Sequence, residues 1–171
     1  RNVLELAALP TFGDAFETLM DSANVPLGTI NLSDPNNREN VKVLAKALAY
    51  ARTGQASFRT EAISAVLSAI GTEQGSTGLA VSQQLPAFIV AASLLNLTSN
   101  DQTTFSNWLT TLTTTEFNGE TLAEAHETHP NRLGNLAGAA RTAIAAYLGD
   151  NTELARISTV FRGFLGARNY Y

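Results

Sequence analysis

The chain has 171 residues, 44% of them hydrophobic and 15% charged, with a formal net charge of −4 and no cysteine. That balance belongs to a globular chain able to bury a sizeable core, not to a disordered one. The missing cysteines exclude disulfides, thiol catalysis and thiolate metal sites.

No run of 18 apolar residues occurs, so no membrane span is expected. A start at Arg1 instead of Met is what a processed or fragmentary chain shows. Residues Val3 to Leu6 form a short apolar segment closed by Pro10. From Thr11 to Asn24 a short helix is expected, with Phe12, Phe16, Leu19 and Met20 on one side. Residues 25–35 read as a loop containing Pro26, Gly28 and Pro35.

Asp34-Pro35 has the form of a helix start, a cap residue followed by proline at the first helical position. The helix is expected to run to about Thr53 and to stop at Gly54. Ser57 is the expected cap of the next helix, whose Ile63, Val66, Leu67 and Ile70 turn inward before Gly71. A longer helix follows over 79–97 with Pro86 inside it, where a kink is expected. Gln83 and Gln84 lie just before the proline. A buried amide pair there either binds a ligand or satisfies the carbonyl that the proline frees. Ser99 with Gln102 gives a capping pattern for a helix carrying Phe105, Trp108, Leu109 and Leu112. Residues 120–127 hold one or two helical turns.

The most informative stretch runs from His126 to Asp150. It opens with both histidines and a proline, then continues as a helix of small residues from Asn131. Leu133, Leu136, Ala140, Ile144, Tyr147 and Leu148 make its apolar face. Asn131, Asn135, Gly138 and Thr142 share a second face. The helix start offers N–H groups and a partial positive charge to an anion, and His126, His129, Arg132 and two amides gather near it. Asp150 with Glu153 then caps a last helix carrying Leu154, Ile157, Phe161 and Leu165.

The charge is uneven. Residues 128–171 carry +3 and the remainder −7. A positive C-terminal quarter on an acidic chain favours a small anionic ligand over nucleic acid, which needs a broader basic field.

Three helix pairs emerge, 35–53 with 57–70, 79–97 with 99–112, and 131–148 with 151–165. Short loops make each an antiparallel hairpin. The expected fold is therefore a single all-α domain over 1–171. Stacked hairpins build an (α/α) toroid or a helical solenoid, and three are half of a common toroid. The exposed edge of the last hairpin then calls for a further segment or another copy to cover it.

The run HETHPNRLGNLAGAARTAIAAYLGDNTELARISTVFRGFLG resembles the helix-pair segment of alginate-lyase-type polysaccharide lyases, and the likeness extends over about residues 79–171. The shared features are an asparagine-led turn into a small-residue helix, a YLGD break and a following FRGFLG. The resemblance implies an α/α toroid, a secreted or periplasmic protein, and β-elimination on an acidic polyuronate with no cofactor or metal. That family's Asn-Asn-His reads Asn131-Arg132-Leu133 here, so only Asn131 has a counterpart. Its catalytic tyrosine is marked by no motif. Elimination needs a group on the uronate carboxylate, a base for the neighbouring C–H and an acid for the leaving oxygen. Asn131, Arg132 and Asn135 suit the first role, and His129 or His126 the second. The alternative is a non-catalytic binding or assembly module on the same scaffold.

Overall fold

The computed structural model describes residues 3–167 and contains nine helices among them, with no strand. They are α1 (Val3–Ala7), α2 (Asp14–Asn24), α3 (Glu39–Thr53), α4 (Ala56–Ser68), α5 (Gly78–Leu94), α6 (Ser99–Leu112), α7 (Leu122–Thr128), α8 (Arg132–Leu148) and α9 (Asn151–Phe164). A single antiparallel bridge joins Phe117 and Glu120. None of these helices is long and apolar enough to cross a membrane.

The most apolar helix, α5, takes the middle of the structure and packs most extensively on α8 and α3. Its Val81, Leu85, Phe88 and Leu94 join Val43 from α3, Ile144 from α8 and Phe105 and Leu109 from α6 in one core. Alanine lines many of the crossings, including Ala47, Ala91, Ala137 and Ala140, all fully buried. Small residues let helix axes approach closely, so the packing is tight without bulk.

Two expected hairpins form. The α3–α4 pair turns at Gly54, whose φ of 70° is left-handed and natural for glycine. The α8–α9 pair turns at Gly149-Asp150. The middle pair is different. Only a short link separates α5 from α6, yet α6 shares little backbone contact with α5 and lies instead against α8. The aromatic face of α6 finds its partners off α5: Phe105 meets Tyr147 of α8 edge-on at 5.4 Å, and Trp108 donates from its indole to Glu73, in the loop before α5, at 3.1 Å.

Helix starts also shift. Asp34-Pro35 does not open α3. Asp34 Oδ1 accepts from the Asn36 amide at 2.8 Å, and Asn37 Oδ1 accepts from Glu39 at 3.1 Å, so successive side chains hold tight turns until Glu39. Gln55 precedes α4 in place of Ser57, and Thr98 with Asp101 caps α6 in place of Ser99 with Gln102. Lys46 of α3 is buried without the sequence announcing it. Its ammonium donates to Ala23 O and pairs with Glu61, both at 2.7 Å.

Candidate functional site

Helices α7, α8 and α9 meet at an unusually close approach, and glycine makes it possible. A Cβ on Gly134 would lie 1.8 Å from the His129 carbonyl oxygen. A Cβ on Gly138 would lie 2.7 Å from both Cδ2 and Nε2 of His126. The C-terminal end of α7 therefore rests directly on the α8 backbone. A full capping box, Thr121 with Glu124, starts α7 and aims its last turn at α8.

His126 is 2% exposed and stands between α8 and α9. Its Nδ1 lies 3.3 Å from an Arg141 guanidinium nitrogen, and its ring meets Phe164 edge-on at 5.6 Å. Guanidinium only donates, so Nδ1 must accept and Nε2 carries the proton. Burial first, and the Arg141 charge second, push the imidazole pKa below its ordinary value. His126 is thus a neutral ring with its N–H on the Gly138 side.

Arg141 is itself 4% exposed and ties the three helices together. It donates to Glu127 of α7 at 2.9 Å and through Nε to Glu153 of α9. Arg156 of α9 completes the chain of charges on the other oxygen of Glu127, at 2.8 Å. Burial raises the Glu127 pKa, but hydrogen bonds from Arg156 and Arg141 outweigh it and hold the carboxyl below its usual range.

A groove of about 390 Å³ opens between α8 and α9 above this network. His126, Asn135, Gly138, Ala139, Thr142 and Phe161 line it, with Ile157. Three members of the polar face read from the sequence, Asn135, Gly138 and Thr142, thus come together with one of the histidines. Phe161, exposed at 51%, forms the opposite wall.

The remaining sequence candidates go elsewhere. Asn131 is the N-cap of α8, and its Oδ1 accepts from Leu133 N at 2.8 Å and Gly134 N at 3.4 Å. Those N–H groups, expected to face an anion, are occupied by the cap. His129 points away from His126 and pairs through Nε2 with Glu120 at 3.0 Å. Arg132 is exposed and has no acidic partner among the described residues. Gln84 is 1% exposed and donates to Leu32 O at 3.3 Å, Asp34 O at 3.0 Å and Ala80 O at 3.3 Å, bracing α5 to the loop between α2 and α3. Gln83 beside it is half-buried. Neither glutamine lies at the α8–α9 groove.

The sequence did not flag Arg141, Glu153 or Phe161 as site residues. The available signal was an arginine embedded in a run of alanines on a small-residue helix. Such a position is buried, and a buried guanidinium demands carboxylates from its neighbours. Among the described residues no group of three or more His, Asp or Glu is placed to hold a metal ion. Comparison with protein families, curated proteins and solved structures finds no match to this chain.

Proposed function

We propose that the chain is a polysaccharide-binding module of the alginate-lyase type of scaffold, which holds an acidic sugar chain at the α8–α9 groove without cleaving it. One observation carries this reading: a hydrogen-bonding groove with an aromatic wall lies one helical turn from a cation, Arg132, that has no acidic partner among the described residues. Asn135, Thr142 and the His126 N–H offer polar contacts, and Phe161 offers a flat apolar face to a sugar ring. Arg132 stands three residues before Asn135, so the two share a side of α8. A carboxylate on the bound sugar meets that guanidinium.

Binding without elimination is favoured by the state of His126. Elimination asks for a base, and the nitrogen of His126 on the groove side is a donor. Asn131, whose amide would meet the uronate carboxylate, is held as the α8 cap by the bond from Leu133 N to its Oδ1.

The test is titration of the protein with polyuronate oligomers by calorimetry, alongside absorbance of the same mixtures for unsaturated product. Measurable binding with flat absorbance is expected. Growing absorbance would replace the binding module with a lyase, and absence of binding would remove the carbohydrate reading altogether.

A second reading, an assembly surface on α9, is favoured by Phe161 at 51% and Leu165 at 72% exposure, one helical turn apart. A further segment or another copy of the chain would cover them. Sedimentation of the isolated chain as a monomer at high concentration would argue against another copy.

A further inference from the structure

A second groove, of about 410 Å³, lies at the other end of α8. Ser93, Asn96, Leu97, Gln102, Ala146 and Tyr147 line it, with Ala92. It gathers two amides, a hydroxyl and a phenol around apolar walls, and no charged side chain lines it. Arg59 donates to the Leu95 and Asn96 carbonyls at 2.8 and 2.6 Å and does not line the groove. The Tyr147 ring is fixed edge-on against Phe105. Asn96 adopts a left-handed backbone with φ of 47°. That bend turns the chain out of α5 and sets the groove's rim.

The two grooves are joined along one helix. Asn135, Ala139, Thr142 and Ala146 follow the i, i+4, i+7, i+11 spacing of a single face, and all four are exposed. The first three line the groove at His126 and the fourth lines the groove at Tyr147. Between them α8 presents only small side chains, so nothing on this face rises to divide the path. From Asn135 to Tyr147 the path is about 18 Å long, at 1.5 Å per residue. The buried His126 N–H marks one end as a place for a polar ligand, independently of the exposed stripe.

We propose that the Tyr147 groove is a second binding site for the same sugar chain, and that it takes an uncharged unit. This rests on the carbohydrate reading given above. An extended chain then lies along α8 with an acidic unit near Arg132 and Asn135. Its other end is a neutral unit, held by the amides of Gln102 and Asn96 and stacked beside Tyr147. A carboxylate in the second groove would lose water and find no charged side chain on its walls, which disfavours it. A ring bearing only hydroxyls meets donors and acceptors there.

The experiment is calorimetric titration with uronate oligomers of two and six units, each as the free acid and with the unit at one end only methyl-esterified, both ends being tried in turn. Two variants accompany the unchanged protein: Gln102→Ala, whose side chain is exposed and unneeded for folding, and Arg132→Ala. The six-unit ligand is expected to bind about tenfold tighter than the two-unit ligand, equal to about 1.4 kcal/mol. Esterification at the end that reaches the Tyr147 groove is expected to tighten it further, and at the opposite end to weaken it. Gln102→Ala removes the gain from length and leaves the two-unit affinity unchanged, whereas Arg132→Ala weakens both lengths. Equal affinity for two and six units, or a Gln102→Ala loss shared by both, would overturn the second site while leaving the first groove standing. Weaker binding of the six-unit ligand whichever single end is esterified would overturn its neutral preference. No binding of any oligomer would overturn the carbohydrate reading itself.

Discussion

The imidazole of His126 lies directly over Gly138, so close that a Cβ on the glycine would come within 2.7 Å of two ring atoms. This contact seats α7 on α8 and forms the floor of the groove. The ring has no room to retreat, because Arg141 holds one edge and Phe164 stands against its face.

Gly138→Ala is therefore destabilising although alanine is the better helix former. Helix propensity favours alanine by about 1 kcal/mol, while overpacking at a confined contact costs about 1–3 kcal/mol. A lowered melting temperature is expected, together with partial recovery in the Gly138→Ala, His126→Ala double variant. Gly134→Ala is expected to be worse, since the obstacle there is the His129 carbonyl, which is backbone. Full stability in Gly134→Ala would show that α7 does not rest on α8 as described.

Stability is expected to fall as pH drops from 7.5 to 5.5. Burial and then Arg141 lower the folded-state pKa of His126, so below its unfolded value of about 6.5 the unfolded chain binds the proton more readily. The contribution is complete above that value and is lost as pH falls beneath it. Glu127 adds a second loss at lower pH. Its folded pKa is also depressed, so that contribution is present above the unfolded value and disappears as pH falls through the folded one. Melting curves from pH 7.5 down to about 3 check both, the first loss in the upper part of the range and the second below the ordinary carboxylate value. His126→Gln should flatten the upper part of the profile and keep the lower part.

The helices were legible because their signals are local. Gly54 and Gly149 stop α3 and α8 as read, and Asn131 caps α8. Starts failed where neighbouring residues compete for one role. Thr98 and Ser99 are both good caps, and Asp34 and Asn37 can each hold a turn. The polar face of α8 was legible because helix periodicity alone places Asn135, Gly138 and Thr142 together. Phe161 was not, since which side of α9 meets that face depends on the tertiary crossing. The fate of α6 was hidden for the same reason: sequence adjacency to α5 suggests a hairpin, while its aromatic residues find better partners near α8.

Glu153→Gln probes the charge network. Arg141 is almost fully buried and loses one of its carboxylates, while Glu127 remains. One guanidinium nitrogen, Nη2, already has no hydrogen-bond partner among the described residues, so the loss is not absorbed by a network with every donor satisfied. Glu153 is partly open to solvent, so the expected loss is about 1–3 kcal/mol, below the range for breaking a fully buried pair. Denaturant titration measures it. The paired variant Arg141→Met, Glu153→Gln is expected to be no less stable than Glu153→Gln alone, because the buried charge has been removed with its partner.

Asn131 and Arg132 are adjacent in sequence and are expected to separate cleanly by experiment. Asn131 spends its side-chain oxygen on Leu133 N and Gly134 N, so its replacement by alanine leaves two helix donors without that partner. The expected cost is about 0.5–2 kcal/mol of stability, seen as a lower melting temperature. Aspartate at the same position keeps the acceptor and should restore the cap. Arg132 is exposed, holds nothing in place, and stands one turn from the groove. Arg132→Ala should leave the melting temperature within experimental scatter and weaken the binding of acidic oligomers. The two substitutions therefore exchange their effects: one moves stability and spares binding, the other moves binding and spares stability. If Asn131→Ala instead abolishes polyuronate binding at a temperature where the variant is fully folded, its amide touches the ligand and the cap is a secondary role.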